Sequence, residues 1–325
     1  MCVSSYQFNS ESKLFSMSRI RANLLLMLVA LIWGSAFVAQ SQGMAHVGPM
    51  AFTGVRFLIG ALVVLPLMGL EWRSLRRQAK PLQREDGVKI AGLGALLLLG
   101  AAMQQIGITS TSVTNAGFLT ALYVPLVPVL SWLLLRQLPH WSVWPGALAC
   151  LVGAYLLSGA QGLSISTGDL WIIASTLPWA LHVLLIGRVA DRMSAPFLVA
   201  GGQFAVCGGL ALAWSLAYEP LSWAGLHSAT WALAYTGVLS VGVAFTAQVV
   251  AQRYAHATDA AIVLSAETLF AAVFGYLLMG DRLDTVGLLG CGLIFVSMLG
   301  VQVLPLFSAG ARAREPVHGT ATHRL

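Results

Sequence analysis

Long unbroken apolar runs partition this chain, and they restrict its fold more than any other feature. Ten are visible, at 22–40, 49–69, 88–106, 114–135, 143–159, 168–189, 196–217, 230–254, 260–279 and 285–304. Most approach the length of about 20 residues that a helix needs to cross a hydrocarbon layer about 30 Å thick. The runs are continuous instead of alternating with period two, which predicts a helical bundle and argues against an outer-membrane barrel. Composition agrees, with 58% of residues hydrophobic and 9% charged, against about 25% charged in a soluble domain. The expected fold class is an all-α integral membrane protein of ten transmembrane helices, with no room left for a soluble domain.

A net charge of +6 would suggest nucleic acid as the partner of a soluble protein, but here its distribution reports topology and contact with membrane lipids. With the N-terminus cytoplasmic, sixteen Lys and Arg fall on inside segments, Arg282 alone falls outside, and Arg56 lies within a span. That bias follows the positive-inside rule and puts both termini in the cytoplasm. Trp72, Trp141, Trp144, Trp171, Trp214, Tyr218 and Trp231 stand near span ends, as interfacial anchors do. Cys2, Cys150, Cys207 and Cys291 have no CxxC or CxxH spacing and read as small core residues, not as disulfides or metal ligands. Arg19 and Arg21 lead into the first run without a cleavage site, so that run is expected to stay as a helix. Residues 1–16 precede a second methionine, Met17, and read as a tail or a misassigned start.

The second five runs echo the first. An offset of 144 sets Asn115 on Asp259, Tyr123 on Glu267, Trp132 on Tyr276, Gln137 on Asp281 and Gly146 on Gly290. A nearly equal offset sets Trp33 on Trp179, Pro49 on Pro196 and Arg56 on Gln203. Two units with an odd number of spans must cross the membrane in opposite senses, the inverted symmetry that many secondary transporters use. The expected organisation is a cytoplasmic tail at 1–21, a five-helix repeat at 22–160, an inverted five-helix repeat at 161–305 and a second cytoplasmic tail at 306–325.

Polar residues inside the spans are the candidates for function. Glu267 lies in the run DAAIVLSAETLFAAVFGYLL at 259–278, about 12 Å along the helix from Asp259. A carboxylate at that depth costs several kcal/mol unless paired, hydrated or protonated, so it faces a water-filled path or is tied to a neighbouring helix. Trp33, Tyr123, Trp132 and Trp179 form either an aromatic-lined chamber or ordinary packing. Gln104 and Gln248 occupy matching places in the two halves and point to a central cavity, whereas Gln105 and Gln203 serve equally well as glue between helices. His182, three residues after Trp179, is a proton carrier or a neutral core residue. Arg56 reads as a tie between helices, and Pro125 and Pro128 should kink their helix in mid-span. The expected transport-pathway residues are thus Trp33, Gln104, Tyr123, Trp179, His182, Gln248 and Glu267, with Arg56 and Gln203 structural.

The chain resembles the EamA family of the drug/metabolite transporter superfamily over nearly all of 22–304. The residues that carry this are LIWGSAFVAQ at 31–40, Arg56 within PMAFTGVRFLIGAL, PWALHVLLIGR at 178–188, SAETLFAAVFGYLLMGDRL at 265–283 and LLGCGLIFVSMLG at 288–300. Two positions depart from the family's pattern: Thr268 stands where a proline is common, and Gln137 where an acidic residue is common. The resemblance implies a ten-helix transporter of two inverted halves in a bacterial cytoplasmic membrane, often an exporter of small metabolites or amino acids.

Enzyme chemistry has no footing, since HExxH, Walker and GxSxG patterns are absent from the sequence, and no cofactor or metal is expected. Without a nucleotide-binding domain, the driving force is an ion gradient, with protons as one candidate, a solute gradient, or facilitated diffusion. The expected function is a secondary transporter of amphipathic solutes. The alternative is a membrane scaffold or small-molecule sensor that does not transport.

Overall fold

The computed structural model describes residues 17–80, 82–111, 113–157, 166–279 and 285–312. The outermost parts of both expected tails, the connection between the two expected repeats, Cys2, and the turn carrying Asp281 and Arg282 lie outside the described residues. All regular structure among the described residues is helical. Eight helical stretches are long and apolar enough to cross a membrane, and two shorter apolar helices, Val143–Leu156 and Thr285–Val301, accompany them.

In chain order the elements are α1 Arg19–Met44, α2 Pro49–Arg77, α3 Arg84–Ile108, α4 Val113–Thr120, α5 Tyr123–Leu135, α6 Val143–Leu157, α7 Thr167–Met193 and α8 Pro196–Tyr218. There follow α9 Trp223–Ser228, α10 Thr230–Tyr235, a π-helical segment Thr236–Phe245, α11 Thr246–Ala251, α12 Ala257–Leu264, α13 Ala266–Phe274, a second π segment Gly275–Met279, and α14 Thr285–Arg312. Two expected tail boundaries move. Ser18 caps α1, its Oγ accepting from the Arg21 amide at 3.3 Å, so Arg19 and Arg21 are helical, and α14 continues to Arg312.

The fourth expected run is two helices, and proline chemistry explains where they part. Pro125 has no N–H to give to the carbonyl four residues back, Ala121, and its ring crowds that carbonyl. The chain turns at Ala121 and Leu122, where the Val124 amide bonds Ala121 O at 3.0 Å instead. The ninth run breaks at Ser265, whose Oγ donates back to Ile262 O at 2.7 Å. The two breaks are 144 residues apart, and each is followed two residues later by Tyr123 or Glu267.

Packing joins the early helices to the late ones: α2 lies along α8, α3 along α7, α6 along α14, and α1 along α13 and the first π segment. α2 and α8 run antiparallel and cap each other. The Glu219 carboxylate just past α8 accepts from the Met50 and Ala51 amides of α2 at 2.9 and 2.8 Å, and Glu71 near the end of α2 accepts from the Leu198 amide at 2.7 Å. A carboxylate at a helix N-terminus satisfies orphan donors and complements the helix dipole. Small residues let these helices approach. A Cβ on Gly34 would stand 2.5 Å from Phe270 Cβ and 2.7 Å from Glu267 O, so α1 presses on the first turn of α13 only because nothing projects there.

Two large apolar clusters result, one centred on α1, α5 and α12, the other on α2, α3, α7 and α8, and Trp33 and Trp179 pack against both. The expected interfacial aromatics, Trp72, Trp141, Trp144, Trp171, Trp214, Tyr218 and Trp231, are all exposed on the outside of the bundle. Cys150 and Cys207 are buried free thiols, and Cys150 sits between Ser265 and Ser297 at 3.3 and 3.2 Å.

Candidate functional site

Where the two clusters meet, α1, α2, α3, α4, α5, α7, the first π segment, α11 and α13 line a cavity of about 50 Å³. At about 10–15 Å³ per water, it has room for a few waters and not for a metabolite. Trp33, Gln104, Tyr123, Trp179, Gln248 and Glu267 all line it, so six of the seven residues expected on a pathway converge on one space from both halves of the sequence.

Glu267 is the second residue of α13, directly after the break at Ser265. The carboxylate thus stands in the first turn of α13, the positive end of that helix, and lines the cavity. Its side chain is almost wholly enclosed, and it has neither a hydrogen-bond nor an ion-pair partner among the described residues. Tyr123, from the matching break, donates to Ala261 O at 3.4 Å. Gln104 donates to Thr120 Oγ1 at 2.9 Å. Both amide atoms of Gln248, and the indole N–H of Trp179, are buried without a partner among the described residues.

Phe245 is the hub of the aromatic wall. Its ring centroid lies 4.5 Å from Trp33, 6.0 Å from Trp179, which stacks on it with 20° between planes, and 5.8 Å from Phe57. It ends the π segment that also supplies Ser240, whose carbonyl accepts from Trp33 Nε1 at 3.2 Å. π-helical turns widen a helix and recur at functional sites. Here the widened segment turns both Ser240 and Phe245 inward.

Three expected placements change. His182 lies behind the wall: fully buried, it meets Gln203 Oε1 through Nε2 at 2.8 Å and packs edge-on against Trp179 and Phe245. Gln203 is its buried partner on α8. Trp132 faces outward and is half exposed, because α5 buries Tyr123, Val124, Val127, Pro128 and Ser131 and Trp132 stands about 100° round the helix from Ser131. Arg56, expected only as a tie, lines the cavity as well; it donates to Gln40 Oε1 at 2.6 Å and lies over the rings of Phe52 and Phe57. Phe37 and Gln40 also line the space. Their spacing from Trp33, four and seven residues, is the signature of one helix face and was readable in LIWGSAFVAQ.

On one side the cavity adjoins a basin of about 590 Å³, and Val183 lines both. Arg19, Arg188, Arg253, His140 and His256 give the basin a basic rim. Gln252 Nε2 donates to Val183 O at 2.9 Å, Arg19 Nη2 pairs with Asp259 Oδ2 at 2.6 Å, and Arg188 donates to Gln137.

A small central cavity lined by aromatic rings with a few amide and charged groups, next to a wider basin in a many-helix membrane bundle, fits a multi-pass membrane carrier. The chain belongs to the EamA-like transporter family, whose pattern it matches twice, over residues 20–159 and 166–302. A relative from Archaeoglobus fulgidus, named an uncharacterized transporter, is 32% identical over 289 residues, covering 88% of this chain and 87% of its own. An S-adenosylmethionine/S-adenosylhomocysteine transporter of Chlamydia trachomatis is 25% identical over 295 residues, covering 84% and 89%. A solved crystal structure at 21% identity superposes with a TM-score of 0.74 over 92% of this chain and 100% of its own, a likeness of fold alone. Transport is the general function these relatives assign to the chain.

Proposed function

We propose that the protein is a secondary transporter that exports small amphipathic metabolites, amino acids or related solutes and drugs, across a bacterial cytoplasmic membrane by alternating access. In this reading ten transmembrane helices form two inverted five-helix repeats, 22–160 and 161–305, with both termini cytoplasmic. The observation that carries it is Glu267: a carboxylate without a hydrogen-bond or ion-pair partner among the described residues, in a central cavity that aromatic rings, neutral amides and the Arg56 guanidinium line from both halves. Ionisable groups in such places mark substrate paths and proton relays, so Glu267 is the proposed proton-coupling site. The matched breaks at Ala121 and Ser265 and the reciprocal caps Glu71 and Glu219 support the inverted repeat.

The cavity's small volume supports a closed state, to which solute is admitted only when one end opens. Aromatic walls beside an acid and a guanidinium suit a solute with an apolar body and charged groups. The name of the Chlamydia relative, whose solutes carry both, is consistent with that class.

The test compares growth media of cells expressing the wild type, Glu267→Gln and an empty vector, by untargeted metabolite profiling. One compound class accumulates outside only with wild type, and Glu267→Gln lowers its export by about tenfold or more, equivalent to about 1.4 kcal/mol in the barrier. Matching media, with the protein folded in the membrane, would sink the export reading.

A further inference from the structure

At the basic end of the bundle, away from the cavity, the start of α1, the end of α2, the start of α8 and the end of α11 leave a second cleft of about 750 Å³. Leu67, Leu70 and Phe197 are among its apolar walls, and Arg21, Lys80 and Arg253 line it as well. Leu67 and Leu70 belong to the exposed face of α2, where a membrane protein meets acyl chains. Trp72, with the Arg76 guanidinium 5.1 Å over its ring, marks the level at which hydrocarbon gives way to headgroups.

These cations are largely unspent. The side chains of Arg21 and Lys80 have no hydrogen-bond or ion-pair partner among the described residues. Arg253 Nε is buried without a hydrogen bond; the Asp191 carboxylate, mostly exposed, is 3.9 Å away, and the guanidinium lies 5.6 Å over the Tyr254 ring. Glu71, the carboxylate that lines the cleft, accepts from the Leu198 amide at the N-terminus of α8 and also attracts Arg253, so Arg21 and Lys80 are the cations left for an added anion.

We propose that this cleft is a binding site for one anionic phospholipid, its phosphate held by Arg21 and Lys80, with Arg253 in the same lining, and one acyl chain laid along Leu67, Leu70 and Phe197. Cations beside an apolar slot fit a ligand that is anionic at one end and aliphatic at the other, and a basic pocket between helices at the membrane surface recruits anionic headgroups. A free phosphate shares the headgroup chemistry but leaves the apolar walls uncovered. Arg253 also gives the site a link to transport, because its neighbour Gln252 holds the Val183 carbonyl between cavity and basin.

The test uses the full chain purified in detergent, titrated with phosphatidylglycerol or phosphatidylcholine and read by native mass spectrometry. One phosphatidylglycerol is retained per chain in preference to phosphatidylcholine, and Arg21→Gln/Lys80→Gln/Arg253→Gln weakens that retention by about two orders of magnitude. Arg21 and Lys80 are exposed, so Arg21→Gln/Lys80→Gln leaves folding intact and still weakens retention by about tenfold or more. Arg76→Gln, outside the cleft, changes nothing. Equal retention of both lipids, or undiminished retention by the double variant, overturns the proposal, and displacement of the lipid by inorganic phosphate makes the cleft a phosphate site instead.

Discussion

Gln248 separates structural glue from a solute contact at the scale of one residue. A buried amide with neither donor nor acceptor satisfied costs about 1–3 kcal/mol, and Gln248 lines the cavity in that condition. If it hydrogen-bonds solute, Gln248→Leu removes the unsatisfied group and raises thermal stability by about 1 kcal/mol, while the apparent KM for transport rises several-fold with less change in the maximal rate. An amide serving only the fold gives the opposite pattern, destabilised with KM unchanged. Gln104 does not offer the same test, because its amide already bonds Thr120.

Among the elements, the reciprocal caps offer the cleanest test of what holds α2 against α8. Glu219→Ala leaves the Met50 and Ala51 amides without acceptors and removes a charge that complements the dipole of α2. It should cost about 1–2 kcal/mol, read as a lowered melting temperature in detergent, with solute affinity unchanged because Glu219 is remote from the cavity. An unchanged melting temperature would show that packing alone joins these helices. Such a cap was not legible in the sequence, since Glu219 lies about 170 residues from the amides it serves. What was legible were polar and aromatic residues at repeat-related positions, which is why Trp33, Trp179, Tyr123 and Glu267 were expected in one space. The break at Ser265 was hidden because no proline or glycine marks it and the same serine-to-carbonyl bond occurs within the unbroken helices α1 and α7, and Phe245 was hidden because an apolar residue in an apolar run gives no contrast. Trp132 faced the other way because the repeat offset matches positions along a helix without fixing which face its partner helices bury.

Across the whole molecule, the alternating access proposed above would require the basic end to open, and bonds between helices cross that end. Arg19 on α1 pairs with Asp259 at the start of α12, Arg188 on α7 holds Gln137 beyond α5, and Gln252 holds the carbonyl of Val183, the residue between cavity and basin. The ion pair is the latch that is simplest to reverse, because each partner contributes one charge and Arg19 is about one-third exposed. Exposure limits its worth to about 1 kcal/mol, enough to move the ratio of open to closed states by a factor of about five. A ligand or mutation shifts such an equilibrium only by what it contributes differently to the two states. Asp259→Arg replaces attraction with repulsion and favours the open form, and adding Arg19→Asp restores the pair with its charges exchanged. A cysteine at Val183 reports the outcome: a membrane-impermeant maleimide supplied from the side of the basin labels Val183→Cys several-fold faster in the Asp259→Arg background and at the original rate in the double exchange. Equal labelling in all three backgrounds would mean that this pair is ordinary surface electrostatics and that the barrier between cavity and basin lies deeper, at Val183 and Gln252.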